Sequence, residues 1–270
     1  MNTAANGKFP RNIICLTEES VETLFLLDKA HLIKGVSAFV KRPKAAQSLP
    51  KVSFFTSSNI KKIKSHNPDL VLGFSDIQKD IARDLIAEGM NVFVANHRSL
   101  SEILEYIEML GRLVDAPAET KALIGKLNSK IDMAKSFAQA LKARPKVYFE
   151  EWDDPMISGI QWVSELIELC GGIDINKELA NAKLAKDRFV EPLTIIQKNP
   201  DLILGCWCGK KVNIQKILDR EGFDKIRAVQ TKNVFEVEPE IFLQPGPAPF
   251  LDGIDVLINI FKEWSKEEDV

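Results

Sequence analysis

Apolar residues along this chain fall in short runs that alternate with longer amphipathic stretches. Ile13-Ile14-Cys15-Leu16, Leu70-Val71-Leu72, Val92-Phe93-Val94, Val147-Tyr148-Phe149, Leu202-Ile203-Leu204 and Val234-Phe235 are strand-like, and helical patterns of ten or more residues stand between several of them. Such alternation predicts βαβ units and parallel sheets. One stretch is longer. From about Ala116 to Ala143, Leu123, Leu127, Ile131, Ala134, Ala138 and Leu141 recur near helical spacing. Asp115 is placed to cap its start, Pro117 sits in its first turn, and Arg144-Pro145 ends it. At ~1.5 Å per residue it would reach roughly 40 Å.

The chain also repeats itself. Asn67-Pro68-Asp69-Leu70-Val71-Leu72-Gly73-Phe74 returns as Asn199-Pro200-Asp201-Leu202-Ile203-Leu204-Gly205-Cys206, 132 residues on. In each copy Asn-Pro ends a helical pattern, because a residue before proline avoids the α region, and a short strand then stops at glycine. Asn91-Val92-Phe93 and Asn233-Val234-Phe235 form a second echo. The expected architecture is α/β, two Rossmann-like lobes with parallel sheets joined by one long α-helix. The predicted division is 1–114, connecting helix 115–143, and 144–270.

Ligands of parallel α/β sheets bind beyond the carboxyl ends of the strands, and two lobes can turn those ends toward a common cleft. The residues following the strands are therefore the candidates: Glu18, Glu19, Phe39, Phe55 and Phe74 in the first half, and Glu151, Trp152, Trp162, Trp207, Phe242 and Gln244 in the second. Large flat side chains suit a bulky, partly apolar ligand. Phe54, Phe93 and Phe149 lie within strand patterns and are expected in the core.

Composition narrows the chemistry. Of 270 residues 45% are hydrophobic, and 36 basic against 38 acidic residues leave a net charge of −2, so no nucleic-acid partner is expected. No apolar run spans a bilayer. The opening MNTAANGKFPR lacks the apolar core of a secretory signal, which predicts a cytoplasmic protein as written, or a periplasmic one if a leader was removed. Cys15 and Cys170 read as buried thiols, and Cys206-x-Cys208 has no second pair with which to build a metal site. Glu18, Glu19, Glu150 and Glu151 could suggest paired-carboxylate catalysis, but strand-end acids more often bind helix N-termini or ligand amides. No phosphate loop or nucleophile elbow is present. Gly171-Gly172 reads as a helix cap and Lys210-Lys211 as a solvated loop. Neither an intrinsic cofactor nor a metal is expected, and the chain is expected to be a monomer.

Several segments resemble one family. Leu16-Thr17-Glu18-Glu19-Ser20-Val21-Glu22-Thr23-Leu24-Phe25, Arg98-Ser99-Leu100, Val147 to Trp152, Trp162 to Gly172 and Gln244-Pro245-Gly246-Pro247 are similar to the helical-backbone (class III) substrate-binding proteins, in their cobalamin-binding branch. The resemblance covers roughly Arg11 to Trp264. It implies that the protein binds a corrinoid such as cobalamin between its lobes without turnover, with Phe55, Phe74 and Phe242 near the corrin and little hinge motion. Iron-siderophore or haem binding for a metal-chelate ABC transporter is the alternative, and a cytoplasmic enzyme on the same fold is another. Family members dock on a permease through one glutamate per lobe. Lys61 and Leu193 stand at those positions here, with Glu191 close by, so docking on a permease is put in doubt.

Overall fold

The computed structural model describes residues 10–182 and 184–268; the opening segment weighed for a leader lies, up to residue 9, outside them. The chain forms a two-lobed α/β fold of two compact units. The first runs to His97 and adds Ser101–Lys126, and the second takes Arg98–Leu100 and the chain from Leu127.

The first unit contains β1 (Ile13–Cys15), α1 (Glu18–Leu26), β2 (Ile33–Ser37), β3 (Lys51–Ser53), α2 (Ile60–Ser65), β4 (Leu70–Phe74), α3 (Lys79–Ala87) and β5 (Val92–Ala95). Then come α4 (Leu100–Leu113) and the long α5 (Pro117–Ala140), which begins in the first unit and ends in the second. The sheet order is β3-β2-β1-β4-β5, all parallel. β1 and β4 pair Ile13 with Leu70, Ile14 with Val71 and Cys15 with Leu72, and all six are buried. Central strands covered on both faces need such unbroken apolar runs. α4 and α5 approach closely at Gly111, where an added Cβ would lie 1.8 Å from Thr120 Oγ1. α5 starts at Pro117, so the cap position falls on Ala116, and Asp115, with φ +53°, makes the preceding turn.

The second unit contains β6 (Lys146–Asp153), β7 (Met156–Ser158), α6 (Gln161–Leu169), β8 (Ile173–Asp174), α7 (Lys177–Ala180), α8 (Pro192–Lys198), β9 (Leu202–Gly205), α9 (Ile214–Leu218), α10 (Arg227–Gln230), β10 (Val234–Glu236), α11 (Pro239–Phe242) and α12 (Ile254–Glu268). β10, β9, β6 and β8 pair in parallel, whereas β7 turns back against β6 as an antiparallel hairpin. A short turn suffices for that pairing, where a parallel neighbour would need a crossover.

The sequence repeat has a shared structural job. Asn67 and Asn199 both adopt φ +46°, ending α2 and α8 in the left-handed region that asparagine tolerates, in place of the extended geometry expected before proline. Asp69 then accepts the backbone N–H groups of Arg11 and Asn12 at 2.6 and 3.0 Å, and Asp201 accepts that of Lys146 at 2.8 Å. In each unit the repeated acid fastens the start of the first strand beside the repeat strand.

Candidate functional site

In the first unit, the carboxyl ends of β2 and β3 present aromatic rings to solvent. β2 stops at Ser37, and the Ala38 N–H donates to the Ser53 carbonyl at 2.8 Å. Phe39 and Phe54 follow the two strands and meet edge to face, with centroids 5.9 Å apart, at 59% and 57% exposure. Phe55 beside them is also exposed. Phe54 was expected in the core; β3 ends one residue earlier, and the Phe54 N–H bonds back to Ser57 O at 2.7 Å, so the ring leaves with the turn. Buried Gln78 ties this turn to β4: its side chain donates to Phe55 O at 2.9 Å and accepts the Phe74 N–H at 3.0 Å. Phe74 itself is buried against His97, which stacks on Tyr106 at 4.5 Å.

The acids of this unit lie beneath that surface. Glu18 accepts the Lys41 N–H at 2.7 Å, and neighbouring Glu22 pairs with Arg42 at 2.8 Å. Glu19 is 1% exposed and receives the Thr17 hydroxyl. Burial pushes its carboxyl up to about 7, against the lowering effect of that hydrogen bond and of a backbone N–H. Burial likewise pushes the adjacent Cys15 thiol up to about 12, which makes it an inert core group.

In the second unit the end of β6 is a run of engaged acids. Fully buried Glu150 accepts from both terminal nitrogens of Arg220 and from Trp207 Nε1 at 2.9 Å. Glu151 is held by Arg188. Asp153 pairs with Lys210 and Lys216, and Lys210 also sits 4.0 Å from the Trp152 ring centroid. Burial alone would raise the Asp153 carboxyl, but the two ammonium groups outweigh it and hold it below its ordinary value. Lys210 is thus a paired cation, not the solvated loop residue expected.

Three candidate aromatics of the second unit are buried, as Phe74 is in the first. Trp162 is buried with its indole N–H on Phe242 O at 2.8 Å, Phe242 packs on Phe149 at 6.0 Å, and Trp207 is a core residue among Tyr148, Ile203 and Val234. All three are interior groups of the unit rather than presented surfaces. Trp152 and Gln244 are half-buried. The structure thus groups Phe39 with Phe55 and with Phe54, whereas Glu18, Glu19 and Glu151 are bound internally. Arg188, Arg220 and Gln78 escaped the sequence reading, because their partners lie 37, 70 and 23 or fewer residues away with no periodic signal. Cys206 is buried and Cys208 exposed, and no group of three potential metal ligands occurs among the described residues. No helix among them is long and apolar enough to cross a membrane.

Residues 13–241 match the family model described as periplasmic binding protein. The chain belongs to that family. Among relatives of this periplasmic binding protein, an uncharacterized ABC transporter substrate-binding lipoprotein, YvrC, of Bacillus subtilis is 25% identical over 96% of this chain and 83% of its own. The vitamin B12-binding protein of Vibrio cholerae serotype O1 is also 25% identical, over 96% of this chain and 92% of its own. The apo structure of the periplasmic heme-binding protein RhuT from Roseiflexus sp. RS-1 superposes with a TM-score of 0.82 at 19% identity, covering 94% of this chain and 99% of that one, a likeness of fold.

Proposed function

We propose that this periplasmic binding protein is the substrate-binding component of an ABC transporter, that its ligand is a corrinoid of cobalamin type, and that it releases the ligand unchanged. The observation that carries the reading is the exposed set Phe39, Phe54 and Phe55 at the strand ends of the first unit. Leaving three phenylalanine residues 37–59% exposed forgoes about half of the roughly 1.5–3 kcal/mol that full burial of each would give, which a flat, partly apolar ligand would recover. The vitamin B12-binding relatives point to the same ligand class. Binding without turnover fits the strand-end acids, since Glu150, Glu151 and Asp153 are committed to Arg220, Arg188 and two lysines. The relatives' names support a site of action outside the cytoplasmic membrane, beside a permease. At α2 and α8 that permease would meet Lys61 and the 62% exposed Leu193 instead of two acids.

Titrating the purified protein with cyanocobalamin, cobinamide and haemin, followed by absorbance and calorimetry, tests the proposal. A saturable shift of the visible corrinoid bands with one-to-one stoichiometry is the expected result. Preferential uptake of haemin would replace the corrinoid with a haem, and silence with all three would remove the ligand class.

A further inference from the structure

Directly beside Phe54, the first unit forms a half-open hollow of about 290 Å³ whose lining includes Lys51, Ser53, Ser58, Asn59 and Lys62 as well as Phe54 itself. At that volume it falls just under the roughly 300–1,000 Å³ of sites that hold a whole drug-sized ligand. It suits one substituent of a ligand, or a small ion.

Most of the lining surface is apolar, with Val52 also part of it, and the polar groups set into it share one chemistry. Among the described residues no acid lies at ion-pair distance from Lys51 or Lys62; Lys51 donates only to the Ala46 carbonyl, at 3.3 Å. Burial holds the Lys51 ammonium below its ordinary value and the Glu18 carboxylate, from further off, only partly offsets this, so exposed Lys62 contributes the freer of the two charges. Ser57 is exposed and Ser58 half-buried, each carrying a hydroxyl, and Asn59 adds an amide whose oxygen already accepts the Lys62 N–H at 2.9 Å. Independent of these surface groups, the Ser53 hydroxyl is buried, at 5% residue exposure, without a hydrogen-bond partner. A buried hydroxyl left unmatched costs about 1–3 kcal/mol, and native proteins seldom tolerate that without a ligand or water to complete it. Hydroxyl, amide and ammonium groups can all donate to an acceptor oxygen, and the lysine charge makes an anionic oxygen the strongest such partner.

We infer that this hollow is a binding subsite for a phosphate group, either the phosphodiester carried by a ligand whose flat body rests on Phe39 and Phe54 or free inorganic phosphate. The first source rests on the corrinoid reading; the site itself does not. Phe54 belongs to both surfaces, lining the hollow and meeting Phe39 edge to face. A ligand with an apolar macrocycle and an anionic tail would satisfy the two at once. Cobalamin has this form, and cobinamide is the same macrocycle without the phosphate-bearing arm.

The test compares cobalamin and cobinamide affinities by calorimetry in wild type, in Ser53→Ala and in Lys51→Met/Lys62→Ala. The wild type should prefer cobalamin about tenfold, the worth of one charge-assisted contact. The double variant should bring the ratio close to one while leaving cobinamide affinity unchanged, and Ser53→Ala should lower it without loss of thermal stability. A preference unchanged by both variants, or absent from the wild type, overturns the ligand-borne source. Inorganic phosphate against chloride at matched ionic strength decides the other source. A melting-temperature rise in wild type that the double variant abolishes supports the site, even if neither corrinoid binds and the corrinoid reading has failed. Equal response of wild type and variant to phosphate, together with equal corrinoid ratios, overturns the subsite.

Discussion

The Arg188 guanidinium, 2% exposed, donates to both carboxylate oxygens of Glu151, at 2.6 and 3.0 Å. It also reaches the Ser158 carbonyl, while the Ser158 hydroxyl returns a bond to Arg188 O at 3.2 Å. One arginine thereby joins β6, the hairpin strand β7 and the loop before α8. Removing one partner of a buried pair leaves the other charge uncompensated, whereas replacing both with apolar groups is often close to neutral. Arg188→Met should lose about 3 kcal/mol of stability, and Arg188→Met/Glu151→Met should recover much of it. Urea denaturation of the three proteins measures this, and a double variant no better than the single would refute the pairing argument.

Glu19 makes stability depend on pH in the direction opposite to most carboxylates. Its ordinary value is 4.5 and burial raises it to about 7, so between those limits the folded chain holds a proton that the unfolded chain has released. The contribution of neutral Glu19 is complete below pH 4.5 and is lost as pH rises through 7. At ~1.4 kcal/mol per unit the loss reaches about 3 kcal/mol by pH 8. Glu19→Gln keeps the shape and stays neutral, so its stability should overtake wild type as pH climbs from 5 to 8. Parallel pH profiles would show that Glu19 is already ionised in the folded protein.

Gly111 is fixed by contact rather than by backbone conformation. Its missing Cβ leaves room for Thr120, whose hydroxyl bonds to Ala116 O at 2.6 Å as α5 begins. Gly111→Ala would gain helix propensity yet force this helix pair apart. A net loss of about 1–3 kcal/mol is expected. Thr120→Ala should recover part of it, because the hydroxyl oxygen that lies 1.8 Å from the new Cβ leaves the contact; a thermally silent Gly111→Ala would mean that α4 and α5 separate at no cost.

How far the chain could be read in advance differs by residue. The Asn-Pro-Asp repeats were legible because the motif recurs intact, with asparagine ending a helix beside its own proline, although the strand start that each acid fastens lies 55–58 residues away. α5 was legible from its spacing. The hairpin β7 was not, since Met156-Ile157-Ser158 is too short to show a period. Nor were Arg188 and Arg220, whose carboxylate partners are set by how distant segments pack. Among the aromatics, those just past a strand separate only by where the strand stops. β3 ends at Ser53 and releases Phe54 outward, whereas Trp207, two residues beyond β9, folds back onto Glu150.

That contrast yields a prediction that separates binding from folding. Phe39 and Phe54 are more than half exposed, so alanine at either should change stability by less than about 1 kcal/mol. Trp207 is 2% exposed and bound to Glu150, and Trp207→Ala should cost about 3–5 kcal/mol and leave a buried carboxylate oxygen short of one donor. Ligand affinity should run the other way. Phe39→Ala/Phe54→Ala removes the rings on which a flat ligand would rest and should weaken corrinoid binding at least about tenfold, with an unaltered melting curve. Trp207→Phe, which keeps the core filled, should bind nearly as well as wild type. Calorimetric titration beside thermal melts reads both quantities on the same samples. Full affinity in the double phenylalanine variant would show that the exposed rings serve something other than the ligand, and a collapsed affinity in Trp207→Phe would move the binding surface to the second unit.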